Sequence, residues 1–94
     1  MADKKVISLP DRFDFSFHKE FTENYEASVL DASVSDIVLD FSRVDYLDSS
    51  ALGMLLMLRE YAGGNNANIT LRNCSKDIKT ILSVANFQSL FNIA

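Results

Sequence analysis

The segment that most constrains the fold is residues 46–58, where an aspartate and two serines stand before an almost uninterrupted apolar stretch. A compact β-branched and aliphatic run over residues 36–41 precedes it and is typical of a strand buried on both faces of a sheet. Asp48 is a good N-cap, because its carboxylate accepts hydrogen bonds from the free amides of a first helical turn. The pattern therefore predicts a strand and then a helix over residues 49–62, with the glycine pair 63–64 as its C-terminal cap.

The rest of the chain alternates between the patterns of strands and helices. Besides the segments above, strands are predicted over residues 4–9 and 68–71, and helices over residues 15–30, 76–85 and 88–91. This order predicts one α/β sandwich spanning residues 1–94, with helices packed on a mostly parallel sheet of three or four strands in βαβαβα order.

Charge and residue usage exclude several classes of function. The net charge is −4 and the lysines and arginines are scattered, so the sequence has no basic stripe for nucleic acid. The longest apolar run is far too short to span a bilayer, and we expect a cytoplasmic location with no membrane association. The single cysteine, Cys74, and the single histidine, His18, provide neither a disulfide nor a zinc-type cluster, and we expect no metal and no cofactor.

The predicted helix over residues 49–62 has more apolar side chains than one sheet contact can use. Four leucines are expected to cover the sheet: Leu52, Leu55, Leu56 and Leu58. A second apolar stripe is formed by Met54, Met57 and Tyr61. Two interpretations of this stripe stay open, because it can pack under a neighbouring helix or face a partner protein. Gly53 costs the helix about 1 kcal/mol relative to alanine, which suggests a close approach by a neighbouring loop or by an incoming protein.

Two serines fall in the first turn of that helix, a position that usually lies at the surface. Because helix amides and the helix dipole favour negative charge there, Ser49 or Ser50 suits the role of a phosphoryl acceptor. The simpler interpretation is that these residues only cap the helix. A hydrolase built on Ser49, His18 and Asp48 is not favoured, because the sequence has no Gly-x-Ser-x-Gly elbow and Asp48 adjoins Ser49. We therefore expect a protein that is not an enzyme.

The motif Asp-Ser-Ser-Ala-Leu-Gly at residues 48–53, after the strand-like residues 37–40, closely resembles the STAS domain (sulfate transporter and anti-sigma factor antagonist). It is most similar to the small bacterial anti-sigma factor antagonists, whose motif reads Asp-Ser-Ser-Gly/Ala-Leu-Gly. Residues 12–14 and the ending at residues 87–93 resemble two further segments of the family. The sequence departs from the family at Pro10, where members carry a flexible glycine-containing segment, and the family's extra N-terminal strand is expected to be missing.

The resemblance implies a STAS-like sandwich and a bacterial signal-transduction switch in transcription regulation. In the family, the first serine after the aspartate, Ser49 here, is phosphorylated by a partner anti-sigma kinase and restored by a PPM-type serine phosphatase. The unphosphorylated protein, expected to be a monomer when unbound, binds an anti-sigma factor or another regulator, and phosphorylation releases it. The residues expected to bind the partner, from the family and from the helix surface, are Asp14, Asp48, Ser50, Gly53, Met54 and Met57.

The alternative that the resemblance implies is a STAS subunit that does not switch. Such a subunit docks through the same helix onto an ABC-type lipid transport complex, and it often carries a different residue at the switch serine. Because this sequence retains both Ser49 and Ser50, the switch is the favoured function.

Overall fold

The computed structural model describes residues 3–31 and 33–94, which form an α/β sandwich. The strands are β1 (Asp3–Ser8), β2 (Arg12–Phe13), β3 (Val34–Asp40), β4 (Tyr46–Leu47), β5 (Ile69–Arg72) and β6 (Asn92–Ile93). The helices are α1 (His18–Leu30), α2 (Ser49–Tyr61) and α3 (Lys76–Val84). Short 3-10 turns lie before α1 and after both α2 and α3. The predicted fold class, a mostly parallel sheet with helices packed on it, is confirmed.

A four-stranded sheet with the order β1-β3-β5-β6 organises the molecule, and all of its neighbouring strands are parallel. In β3 the register pairs Val38 with Val6 on one side and with Thr70 on the other. Residues 37–39 of β3 are all buried, as the apolar run predicts for an inner strand of a parallel sheet. No helix in the described residues is long and apolar enough to cross a membrane.

The last helical turn, predicted over residues 88–91, is a 3-10 turn at Phe87–Ser89. The strand β6, which the sequence does not predict, follows it and runs beside β5 with Leu71 opposite Ile93. The Ala94 amide continues this pairing, because it donates to the Leu71 carbonyl at 2.9 Å. A strand of two residues is too short to show an alternating pattern, so only its place in the fold reveals it.

The core lies between one face of this sheet and the helices. Its centre includes an aromatic cluster in which Phe13 lies edge-on to Phe21, with ring centroids 5.4 Å apart, and to Phe41 at 6.2 Å. None of the three side chains is more than 1% exposed. Burying a side chain of this size contributes on the order of 1.5–3 kcal/mol. Because Phe13 belongs to β2 and Phe21 to α1, the cluster fixes the segment between them against the core.

Two very short strands form a separate parallel ribbon outside the main sheet. In it, β2 pairs with β4, with Arg12 opposite Tyr46 and Phe13 opposite Leu47. Phe13 and Leu47 are buried, whereas Arg12 and Tyr46 are exposed. The sequence predicts neither of these strands, because two residues are too few to show an alternating pattern. The ribbon matters for function because the residues that follow its two strands begin the candidate site.

Candidate functional site

The helix α2 begins at an aspartate cap, as the sequence predicts. Asp48 has an extended backbone, and its Oδ1 accepts hydrogen bonds from the Ala51 amide at 3.1 Å and from the Ser50 hydroxyl at 2.6 Å. These two donors, the Ser50 hydroxyl first, lower the pKa of Asp48, while the charge of Asp14 acts in the opposite direction. Asp48 is therefore a charged cap that also fixes the second serine of the motif.

The two serines of the motif have different surroundings. Ser49 is exposed, and its hydroxyl makes no hydrogen bond within residues 3–31 and 33–94. Ser50 is half-buried, and its hydroxyl is held by the Asp48 carboxylate. An enzyme can reach the Ser49 oxygen without first breaking an internal hydrogen bond. The geometry therefore makes Ser49 the better candidate for modification, although its modification remains a prediction.

A second capping aspartate lies at the end of β2. Asp14 accepts hydrogen bonds from the Ser16 amide at 3.0 Å and from the Ser16 hydroxyl, and it thereby caps the 3-10 turn before α1. Its Oδ2 accepts a further hydrogen bond from Arg12 Nε at 2.8 Å. The Ser16 hydroxyl and then Arg12 lower the pKa of Asp14. The carboxylate predicted near the switch is thus charged and held in place on two sides.

The parallel ribbon explains why the two capping aspartates are neighbours. Because β2 and β4 run in the same direction with Phe13 opposite Leu47, the next residue on each strand is Asp14 or Asp48. Their charges interact, as the effect of Asp14 on the Asp48 pKa shows. The sequence predicts both residues near Ser49, and the ribbon supplies the structural reason for their proximity.

Two residues at the site were missed by sequence reasoning. The Arg12 guanidinium carbon lies 4.2 Å from the centre of the Tyr46 ring, a cation–π contact on the outer side of the ribbon. The available signal was an arginine and a tyrosine at the start of two short extended segments. That signal becomes specific only when the segments are known to pair.

The outer face of α2 differs from the predicted one. Met54 is 3% exposed and belongs to the core, so the prediction that it lies on a partner face is wrong. Leu56, predicted to cover the sheet, is 42% exposed, and Met57 is 54% exposed. The buried positions follow the helical repeat of Ala51, Met54, Leu55 and Leu58. Leu56 lies five residues after the buried Ala51, which rotates it about 140° around the helix axis, and it therefore faces solvent.

Gly53 stands on the exposed side of α2, one turn after Ser49. Apart from the adjoining residues and the backbone of its own helix, a Cβ atom added to this glycine would meet no atom of the described residues within 4 Å. The interpretation that a neighbouring loop of this chain requires a glycine here is therefore wrong. The remaining interpretation, close approach by another protein, stays a prediction.

The only histidine is engaged elsewhere. The His18 ring stacks on Phe15 with centroids 4.7 Å apart, and it lines a shallow groove between α1 and α2 together with Tyr25, Met57 and Tyr61. His18 makes no hydrogen bond with Ser49 in the part of the chain that the structure describes. In that same part, no group of three His, Cys, Asp or Glu side chains could hold a metal ion.

Solved structures share this architecture and define the class of fold. SpoIIAA, an anti-sigma factor antagonist solved in its unphosphorylated form, aligns with a TM-score of 0.73 and 19% identity, over 100% of this chain and 81% of that one. A sulfate transporter family protein from Wolinella succinogenes aligns with a TM-score of 0.78 and 14% identity, over 99% of this chain and 81% of that one. At such identities the likeness shows the fold alone, an α/β sandwich that this chain shares with both proteins.

Sequence comparison then shows the family. A family model described as "Mlab, STAS domain" matches residues 2–92. A STAS-domain containing protein of Pseudomonas aeruginosa (strain UCBPP-PA14) is 47% identical over 89 residues, which cover 95% of this chain and 86% of that protein. The chain belongs to the STAS-domain family, and the resemblance stated from residues 48–53 is confirmed.

Proposed function

We propose that this STAS domain is an anti-sigma factor antagonist whose binding to a partner is switched by phosphorylation of Ser49. The observation that carries the proposal is an exposed hydroxyl at the first residue of α2 that makes no hydrogen bond with the described part of the chain. On the same side of that helix, Gly53, Leu56 and Met57 are exposed and offer a surface for docking. SpoIIAA, which shares the fold, has been solved in both an unphosphorylated and a phosphorylated form.

In the proposed cycle the domain is a binding module and not an enzyme. The unphosphorylated form binds an anti-sigma factor or another regulator. A partner serine kinase transfers a phosphoryl group from its bound nucleoside triphosphate to Ser49 Oγ, which loses its proton as the nucleoside diphosphate leaves. A PPM-type serine phosphatase hydrolyses the phosphate ester and restores the hydroxyl. We place this cycle in the cytoplasm, with the unbound domain as a monomer that binds neither nucleic acid nor membrane.

A phosphate on Ser49 would act mainly on the partner and not on the fold. It adds a charge of about −1.5 to −2 and three strong acceptor oxygens. The amides at the start of α2 favour that charge, whereas Asp14 and Asp48 oppose it. A docked partner would bury the dianion at the start of an otherwise apolar face, and a buried charge whose hydrogen bonds are not all satisfied costs several kcal/mol. Since each 1.4 kcal/mol is tenfold in affinity, this cost is enough for release.

The proposal is tested by measuring partner affinity for variants of the serine pair. A pull-down from cell extract with Ser49→Ala as bait identifies the partner, and titration calorimetry then compares the variants. We expect Ser49→Ala to bind as tightly as the unmodified protein and Ser49→Asp to bind at least about tenfold more weakly. Ser50→Ala is the matched control, because it alters the adjacent hydroxyl without adding charge. Equal affinities for Ser49→Ala and Ser49→Asp would contradict the proposal.

The acceptor itself is identified by mass spectrometry after incubation with the cognate kinase. We expect a phosphate on Ser49 in the natural protein and in Ser50→Ala, and none in Ser49→Ala. A phosphate found on Ser50 would move the switch by one residue. It would also require the hydrogen bond from Ser50 to Asp48 to break first.

A second candidate function is a STAS subunit that docks onto an ABC-type lipid transport complex without switching. It is favoured by the description "Mlab" of the matching family model and by the structural likeness to a transporter-family protein. Murine Slc26a9, an anion transporter, also contains a region that aligns with 100% of this chain at a TM-score of 0.77 and 17% identity. Stable co-purification with a transporter ATPase, together with unmodified Ser49 in cells, would favour this subunit over the switch.

A further inference from the structure

Arg12 is a cation held beside the start of α2 among acidic groups. Within residues 11–14 and 45–48, the other charged side chains are the aspartates at positions 11, 14, 45 and 48. The Arg12 side chain is 65% exposed, yet Tyr46 lies under its guanidinium and Asp14 accepts from its Nε. Two contacts therefore hold an exposed arginine in one place, which is unusual for a long side chain at a surface.

Most of the hydrogen-bonding capacity of Arg12 is unused. An arginine carries five N–H donors in a planar fork that fits phosphate oxygens in pairs. Only Nε is engaged, with Asp14, and neither terminal nitrogen makes a side-chain hydrogen bond within residues 3–31 and 33–94. Arg12 can therefore accept a second anionic partner without releasing the first.

The register of the ribbon places Arg12 on the face that ends at Asp48, the residue before Ser49. Alternate residues of a strand lie on one face, so Arg12 and Asp14 share the outer face of β2, as Tyr46 and Asp48 share that of β4. The guanidinium extends along the strand as far as the Asp14 carboxylate, at 2.8 Å. Ser49 follows Asp48 directly, so it lies at the end of the ribbon toward which the Arg12 side chain extends.

We propose that Arg12 is the internal counter-ion of the phosphate on Ser49, an inference that rests on the proposed phosphorylation of that serine. The terminal nitrogens of Arg12 donate to the phosphate oxygens while Nε keeps its hydrogen bond to Asp14. The pair of Arg12 and the phosphate offsets the repulsion from Asp14 and Asp48. It also holds the dianion at the N-terminus of α2, where a docked partner would have to cover it. Charge-assisted arginine–phosphate pairs of this kind are about twice as strong as neutral hydrogen bonds.

The test is a ³¹P NMR titration of protein produced with phosphoserine incorporated at position 49. A neighbouring cation favours the dianion and lowers the second pKa of the phosphate, so removal of the cation raises that pKa. We expect Arg12→Gln to raise it by about 0.5–1 unit and Arg12→Lys to raise it less. Lys79→Gln, which removes a positive charge from α3, is the control and is expected to cause no shift.

The inference is overturned if the phosphate of folded Arg12→Gln titrates as in the natural protein, or if Lys79→Gln shifts it as much. Far-UV circular dichroism checks the fold of each variant, and Arg12→Lys keeps the test available if the glutamine variant does not fold. No kinase or binding partner enters this experiment. Partner affinity is measured separately by calorimetry. If Arg12→Gln raises the phosphate pKa but the phosphate on Ser49 does not weaken partner binding, this inference stands and the proposed switch is refuted. If the phosphate weakens partner binding but Arg12→Gln leaves its pKa unchanged, only this inference is refuted.

Discussion

Single residues at the start of α2 take roles that their chemical type does not reveal. Ser49 and Ser50 are identical and adjacent, yet one hydroxyl is exposed and the other donates to Asp48 at 2.6 Å. The difference arises because the cap places its carboxylate over the helix start, on the side where Ser50 lies. Asp48 thus accepts a hydrogen bond from the Ser50 hydroxyl and leaves the Ser49 hydroxyl available for modification.

Gly53 gives a prediction in which stability and binding change in opposite directions. Gly53→Ala adds a methyl group where no described residue outside its own helix lies within 4 Å, and it replaces a poor helix former with a good one. We expect the free energy of unfolding to rise by about 0.5–1 kcal/mol, measured by urea denaturation. If a partner approaches the helix closely at this point, the same variant binds more weakly.

Ala27→Gly, at an exposed position inside α1, is the matched control for the helix effect, because it makes the reverse change outside the docking helix. It should lower stability and leave partner affinity unchanged. A more stable Gly53→Ala protein that binds its partner at full strength would show that the partner does not need the glycine.

At the scale of elements, the two sides of α2 have different roles. Its buried side meets the core, and its outer side carries Leu56, Met57 and Tyr61, all more than 40% exposed. Tyr61 also contacts α1, where its ring lies 5.6 Å from that of Tyr25. Apolar side chains on both sides of a surface helix are typical of a helix that packs inside its own domain and also against another protein.

The two methionines of α2 provide a matched pair for testing this separation. Met54→Ala should lower the free energy of unfolding by about 2–5 kcal/mol, because it removes a side chain from the packed core. Met57→Ala should change it by less than about 0.5 kcal/mol, since that side chain is 54% exposed. Met57→Ala should also weaken partner binding. Titration calorimetry measures this at a temperature where both variants are folded. Large destabilisation by Met57→Ala would show that it packs inside the domain.

For the whole molecule, carboxylates near strand ends and helix starts link the fold to pH. Hydrogen bonds lower the pKa of Asp14, Asp40 and Asp48 below the ordinary 3.8, the Ser16 hydroxyl being the largest cause for Asp14 and the Ser42 amide for Asp40. A carboxylate whose pKa is lower in the folded protein stabilises the fold above its unfolded pKa. That stability disappears as the pH falls through the folded value.

We therefore expect the free energy of unfolding to be constant near neutral pH and to decrease below about pH 4. The triple variant Asp14→Asn, Asp40→Asn, Asp48→Asn should lose part of this dependence, because asparagine still caps helices but does not titrate in this range. Asp45→Asn, in a loop and without a side-chain hydrogen bond within the described residues, is the control. Urea denaturation between pH 2.5 and 7 gives the slope of the free energy of unfolding against pH for each variant. An unchanged slope in the triple variant would contradict the assignment.

Much of the fold could be predicted from the sequence because its main elements carry their own signals. The apolar run of residues 36–41 indicated an inner strand, and Asp48 marked the start of α2. The family motif at residues 48–53 was also readable, since its spacing is local. The sequence did not predict the two-residue strands β2, β4 and β6, because their pairing depends on contacts between residues far apart in the chain.

The sequence by itself determined where α2 and α3 begin, which serines stand at the start of α2, and the family to which the chain belongs. Only the tertiary structure decided that Met54 is buried while Leu56 and Met57 face solvent, because the direction of a helical side chain depends on how the whole helix is rotated against the sheet. It also brought Arg12 and Asp14 beside Asp48, through a ribbon of strands more than thirty residues apart in the chain. Local hydrogen-bonding preferences act within a few residues and are legible in a sequence, whereas packing joins distant segments and appears only once the chain has folded.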